Sequence, residues 1–388
     1  MSPALKILQL FPAIVLSAGC ATSVSQEKTH TESVPAVTGT LPVRATVMSP
    51  EQRIQLARSE PTAEQVLAKP QSGFMARQDV QSFYRDLVSK RNLPAQSVAN
   101  LLLNAQYQPT TVRLMTPSGA KIVRDWPTYR NRFVEPIRIE RGIAFMQKHR
   151  DLLLAAQKQY GVPASIIAAI IGVETLYGTH MGDFRVLDAI TTLAFNYPEH
   201  PRREERVNLF RNQLADLIEL HIDGQLDANK QLGSFAGAIG IPQFMPTSIK
   251  EYAVPASPQR VVNLEYNVND AVLSVANFLR KHGWVPGAPV FAPLEPPANA
   301  QRLVEGGITP TLNLARLLQD GARLKPGTST QSWGHLPLGV IDLPTARTGQ
   351  VEYRVATPNF FALTHYNRSY FYATSVAELA QAISERWD

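Results

Sequence analysis

The chain has 388 residues, 38 Lys+Arg against 32 Asp+Glu, 44% hydrophobic and 18% charged residues, and a single cysteine. That apolar fraction excludes wholesale disorder, and the length suits two or three domains or one large domain carrying an insertion. One cysteine excludes an internal disulfide framework and any cysteine-ligated zinc or iron–sulfur centre built by this chain alone.

Residues 1–19 begin with one cation, Lys6, run through a mainly apolar stretch from Ile7 to Leu16 and end on Ser17, Ala18 and Gly19. A charged start, a short apolar run and a small-residue exit read as a secretory signal, and about 13 residues are too few for a stable spanning helix. The Ser-Ala-Gly-Cys ending resembles a bacterial lipobox, which makes Cys20 the candidate lipidation site and first mature residue. An ordinary signal peptide with an incidental Cys is the plainer alternative. Ala21 after the Cys, rather than Asp, implies by that resemblance sorting to an outer membrane, facing the periplasm. Residues 20–50 are rich in Ser, Thr and Pro and poor in bulky apolar side chains, so they read as a flexible tether. Loss of the signal removes only Lys6 among charged residues and lowers the net charge from +6 to +5. A basic surface suits an anionic partner; export argues for lipid headgroups or a cell wall and against nucleic acid. The charge is dispersed rather than clustered, so ordinary solubility explains it equally well.

Helical periodicity follows from residue 51 to 103, where Val80, Phe83, Tyr84 and Leu87 and then Val98, Leu101 and Leu102 recur at three and four. It resumes over 137–160, 163–177, 203–221, 268–282 and 375–387. Prolines at 286, 289, 293, 296 and 297 break this texture, and β-like runs follow at 338–343, 351–356 and 360–366. The expected architecture is mainly α (α+β), a helical body interrupted late by a small β-containing insert.

Three segments carry candidate chemistry. In Tyr160-Gly-Val-Pro-Ala-Ser-Ile-Ile-Ala-Ala-Ile-Ile-Gly-Val-Glu174, Gly161 and Pro163 punctuate a helix start, and Glu174 shares a face with Ile167, Ile170 and Ile171. A carboxyl in that company is desolvated, holds its proton near neutral pH, and suits general acid work on a glycosidic oxygen. Alone, it reads as well as a helix-end residue satisfied by backbone or an Arg. In the second segment, Gly233-Ser-Phe-Ala-Gly-Ala-Ile-Gly-Ile-Pro-Gln243-Phe-Met-Pro-Thr-Ser248, Gly233, Gly237 and Gly240 with Ala236 and Ala238 present no bulk, so a ligand can approach the backbone there, with Ser234 and Gln243 offering hydrogen bonds to a sugar. A tight helix crossing explains the small residues equally well. The third, Asn359-Phe-Phe-Ala-Leu-Thr-His-Tyr366-Asn367, mixes aromatic and amide groups suited to sugar rings, or forms a strand with core aromatics.

Gly172-Val-Glu174-Thr-x-Tyr177-Gly178, Ala194-Phe-Asn196-Tyr-Pro198, the Gly233 to Ser248 segment and Tyr366-Asn367, in this order, resemble the B-type lytic murein transglycosylases. The likeness runs from about Pro109 to the C-terminus, is weaker over 51–108 and is absent from the tether. It implies a lysozyme-like helical core (129–284 and 356–388) with an N-terminal helical domain (51–128) and a small inserted β domain (285–355). It further implies Glu174 as the catalytic acid, Tyr129, Ser234, Gln243 and Tyr366 lining a glycan site, and no cofactor. Phe278 stands where the family has a cleft Tyr. The family's calcium loop is not carried over, because no carboxylate occurs over 254–263 and Glu265 and Asp270 alone make a poor cage.

No second acid lies within eight residues of Glu174; Asp183 and Asp188 come next, and Asp188 reads as a helix-start or structural acid. Most glycosidases use two carboxylates. The resemblance implies one, which protonates the oxygen between N-acetylmuramic acid and N-acetylglucosamine and then takes a proton from the sugar's own C6 hydroxyl, leaving a 1,6-anhydro end. The implied partners are peptidoglycan glycan strands and a membrane through the lipid anchor, with cell-wall synthesis proteins as candidates. The rivals are a lysozyme-type hydrolase and a non-catalytic wall-binding lipoprotein.

Overall fold

The computed structural model describes residues 47–117, 123–258 and 260–387; Cys20, the signal segment and almost all of the tether lie outside them. The described residues form sixteen α-helices and three two-stranded antiparallel sheets, the mainly helical architecture expected.

Helix starts follow local chemistry. Ser49 with Gln52 and Thr62 with Gln65 make reciprocal capping boxes, and Pro109, Pro136, Pro246 and Pro358 each open a helix where a missing N–H costs nothing. Helix Arg150–Tyr160 ends on Gly161 at φ 71°, and Pro163 then caps helix Ala164–Thr175. Every residue of that helix except Ser165 is buried, so it is the centre of the core rather than an amphipathic surface element. Helices Pro136–Lys148, Arg150–Tyr160, Val268–Lys281 and Tyr370–Ser384 pack around it.

The apolar side chains fall into two clusters. The larger extends from Val66 to Ile383, and the smaller gathers residues between Ala288 and Val355 around Trp333, Leu317 and Leu338. Strands Gly339–Thr345 and Gln350–Ala356 form a hairpin in register Gly339↔Ala356 to Thr345↔Gln350. Because side chains alternate along a strand, Val340 and Val355 join the smaller cluster while Ile341 and Leu343 join the larger.

Three readings need correction. Residues 360–366 are not a strand: Thr357 caps and Pro358 opens helix Pro358–Tyr366, whose side chains from Asn359 to Thr364 are all buried, and this removes the polar face that reveals a helix. Residues 137–160 are two helices meeting at His149, whose backbone (φ −115°, ψ 28°) leaves helical geometry. The glycine-rich segment is a string of turns, with Gly237 and Gly240 at φ 88° and 71°, and helix begins only at Pro246–Tyr252.

Candidate active site

Glu174 occupies the last turn of the central helix and is 2% exposed. Its Oε1 accepts a hydrogen bond from the Tyr372 hydroxyl at 2.6 Å; its Oε2 has no hydrogen-bond partner among the described residues. Burial pushes the carboxyl up to about 8, against the opposing effect of the Tyr372 hydrogen bond. The group therefore carries its proton at neutral pH, as the apolar helix face implied. Among the described residues no arginine is hydrogen-bonded to it: Arg138, on the neighbouring helix, donates through Nε to the Gly172 carbonyl and through Nη1 to the Arg132 carbonyl. Asp188 is the structural acid expected, held by Arg185 and accepting the Gln106 amide.

Behind Glu174 the chain turns sharply, with Leu176 and Tyr177 at φ 50° and 60°. The fully buried Thr175 hydroxyl accepts from the Gly178 amide at 2.9 Å and donates to the Ile241 carbonyl at 2.9 Å, lacing the helix tail to the glycine-rich turns. Gln243 completes the lacing. Its backbone is left-handed (φ 51°), a conformation that costs an L-residue free energy and persists only where neighbours impose it. Its Nε2 donates to the Met181 and Gly240 carbonyls at 3.1 and 2.9 Å, while its buried Oε1 has no partner among the described residues. With both amide hydrogens used within the fold, what remains to offer a ligand is an acceptor.

Tyr129, Tyr366 and Tyr372 surround the acid. Burial raises all three phenols, and the charge of ionised Glu174 raises them further. Tyr129 packs on Phe371 with ring centres 5.4 Å apart, and Tyr366 stacks on Tyr372 at 6.4 Å and 14°. Phe278 lies 4.8 Å from Tyr366, ring to ring.

The structure thus gathers Tyr129 and Tyr366 around Glu174 and ties the Gln243 turn to its helix. The Tyr366 hydroxyl, however, donates to the Pro242 carbonyl at 2.7 Å, bracing the Gln243 turn. Ser234, 4% exposed, accepts the Ala236 and Ala238 amides at 3.3 and 3.0 Å, which orders its own loop. Sequence reasoning missed Tyr372 and Thr175. Tyr372 stands 198 residues from its partner, and only its place in a tyrosine-rich run (Tyr366, Tyr370, Tyr372) hinted at a role.

The transglycosylase SLT domain family matches residues 75–381. Membrane-bound lytic murein transglycosylase B of Escherichia coli K12 is 32% identical over 98% of this chain and 98% of its own length. Lytic transglycosylase Slt35 of Escherichia coli, solved in complex with calcium, superposes with a TM-score of 0.69 at 32% identity, over 84% of this chain and 99% of that one. SltB3 of Pseudomonas aeruginosa, solved with NAG-NAM-pentapeptide, gives 0.66 at 25% identity, over 84% and 81%. These likenesses bear out the lysozyme-like reading of the helical body. A match over most of the chain, together with a relative aligned nearly end to end, makes this protein a member of the SLT transglycosylase family.

Proposed function

We propose that the chain is a lytic transglycosylase cleaving the bond between N-acetylmuramic acid and N-acetylglucosamine in peptidoglycan, with Glu174 as its single acid and base. The observation that carries this reading is a buried carboxyl, protonated at neutral pH, with one oxygen fixed by Tyr372 and the other without a partner among the described residues. The protonated Glu174 gives its proton to the glycosidic oxygen as that bond breaks. The resulting carboxylate then takes the proton of the muramoyl C6 hydroxyl, whose oxygen closes on the anomeric carbon, so the acid is restored and no water is consumed. The substrate's acetamido oxygen stabilises the cationic centre, the task a second carboxylate performs in other glycosidases. Tyr129, Gln243, Ser234 and Tyr366 form the glycan site, the last two chiefly by holding its walls.

Mass spectrometry of products from digested murein tests this. Anhydro ends, lighter by one water than reducing ends, are expected, whereas reducing ends alone would make the protein a lysozyme-type hydrolase.

The same reading makes 285–355 an insert between the two parts of the core, supported by the separate apolar cluster there. It also makes Cys20 a lipid anchor at the outer membrane. The membrane-bound relative supports this, and no helix of the described residues is long and apolar enough to cross a membrane. Cys20→Ser is expected to move the enzyme from the membrane fraction to the soluble one; unchanged fractionation would remove the anchor.

A further inference from the structure

The B-type enzymes that this chain resembles carry a calcium loop just after the place of Ala253-Val254, and the Slt35 structure contains calcium. Residues 254–263 here do not fit a divalent cation, which needs six to eight oxygen ligands, several of them anionic. None of these residues is acidic, and among the described residues no group of three or more His, Cys, Asp or Glu could hold a metal. The side-chain oxygens of Asp270, Asn263, Ser274 and Glu265 are engaged by hydrogen-bond donors. Asp270, 2% exposed, accepts the Ala256 amide on one oxygen and the Asn263 amide on the other, both at 2.8 Å. Asn263 Oδ1 accepts the Glu265 and Tyr266 amides at 3.0 and 2.8 Å, and the Ser274 hydroxyl accepts the Val254 amide at 3.0 Å. Glu265 accepts the Tyr266 hydroxyl at 3.0 Å and the Gln231 amide at 3.4 Å. N–H groups converging on a carboxylate are the reverse of a cation cage.

The base of this loop also touches the candidate site. One residue beyond Asn263, the Leu264 carbonyl accepts the Ile241 amide at 2.8 Å, and Ile241 is the residue whose own carbonyl takes the Thr175 hydroxyl. The loop is therefore one of the supports of the Gln243 turn.

We propose that Asp270 is a positioning residue that replaces the cation. With two charge-assisted hydrogen bonds it ties Ala256 to Asn263 and, through Leu264, holds the Gln243 turn, so the folded chain neither requires nor takes up calcium. The part of this that concerns activity rests on the transglycosylase reading above.

Two measurements on the full chain test it. Melting curves with added calcium chloride and with excess EGTA should coincide, and turnover on murein should be equal in both; a saturable rise in melting temperature with calcium, reversed by EGTA, overturns the proposal. Asp270→Asn turns one acceptor into a donor facing a backbone amide. It should melt about 3–6 °C lower and lose about tenfold in kcat/KM on soluble glycan strands, mainly through KM because Gln243 is the displaced contact, and calcium should restore neither. Asp270→Asn with wild-type kcat/KM refutes the positioning role, and should that variant fail to fold, the wild-type comparison in calcium and EGTA decides. A chain inert on murein would sink only the enzymatic reading, because the melting curves need no substrate.

Discussion

Glu174→Gln is expected to abolish murein cleavage, by about 10³-fold or more, and at the same time to raise the melting temperature. The first effect follows from loss of the one titrating group in the site that has an unpartnered oxygen among the described residues. The second follows from linkage. The folded-state value is about 8 against an ordinary 4.5, so between these pH values the native protein keeps a proton that the unfolded chain has released. Stability is therefore fully present below about pH 4.5, falls as pH rises, and levels off above about 8, a loss on the order of 5 kcal/mol at 1.4 kcal/mol per pH unit. Glutamine keeps an oxygen for the Tyr372 hydroxyl and carries no charge, which removes the penalty. Calorimetry at pH 5 and pH 8.5 should show the gap between variant and wild type widening at the higher pH, and a gap independent of pH would refute the buried acid. In the wild type, kcat/KM should fall as pH rises through about 8, where the acid form disappears.

Gly182→Ala is the most damaging single-methyl change to expect. Gly182 has φ 89°, and a Cβ there would lie 2.2 Å from the Gly233 carbonyl oxygen and 2.7 Å from the Ser234 nitrogen. Both obstacles are backbone, so no rotamer change relieves them, and the strands pairing Phe184 with Gly233 would have to separate. The strained backbone and the clash together should cost more than about 4 kcal/mol. Gly349→Ala is the control: φ is 70° in the hairpin turn, but nothing lies within 4 Å of the added carbon, and about 1 kcal/mol is expected. Urea unfolding of the two variants separates the outcomes. Equal midpoints would mean that the tail beyond Glu174 does not pack against the Ser234 loop as described.

The central helix was legible because punctuation and pattern agree: Gly161 and Pro163 bound its start, and an isoleucine run carries Glu174 inward. The 203–222 helix and the hairpin strands were legible for similar local reasons. Helix Pro358–Tyr366 was not, since burial on every side removes the alternation that distinguishes helix from strand. Nor could the sequence say where a hydroxyl proton goes. Ser234 and Tyr366 were legible as residue types suited to a sugar, but their polar atoms are engaged by Ala236, Ala238 and Pro242, contacts set by turns that only the folded backbone defines. Tyr372 and Asp270 share this character, being ordinary residues in ordinary helices until a distant segment arrives opposite them.

The hairpin of Gly339–Thr345 and Gln350–Ala356 gives its two faces to different apolar clusters. Peeling the smaller cluster away would tilt the same ribbon that seats Ile341 and Leu343 in the larger one, so packing lost on one side is lost on the other. Such sharing makes the melting of the two clusters cooperative. The segment between Ala288 and Val355 is expected to act as a buttress that gives way with the body, not as a flap that opens while the rest holds.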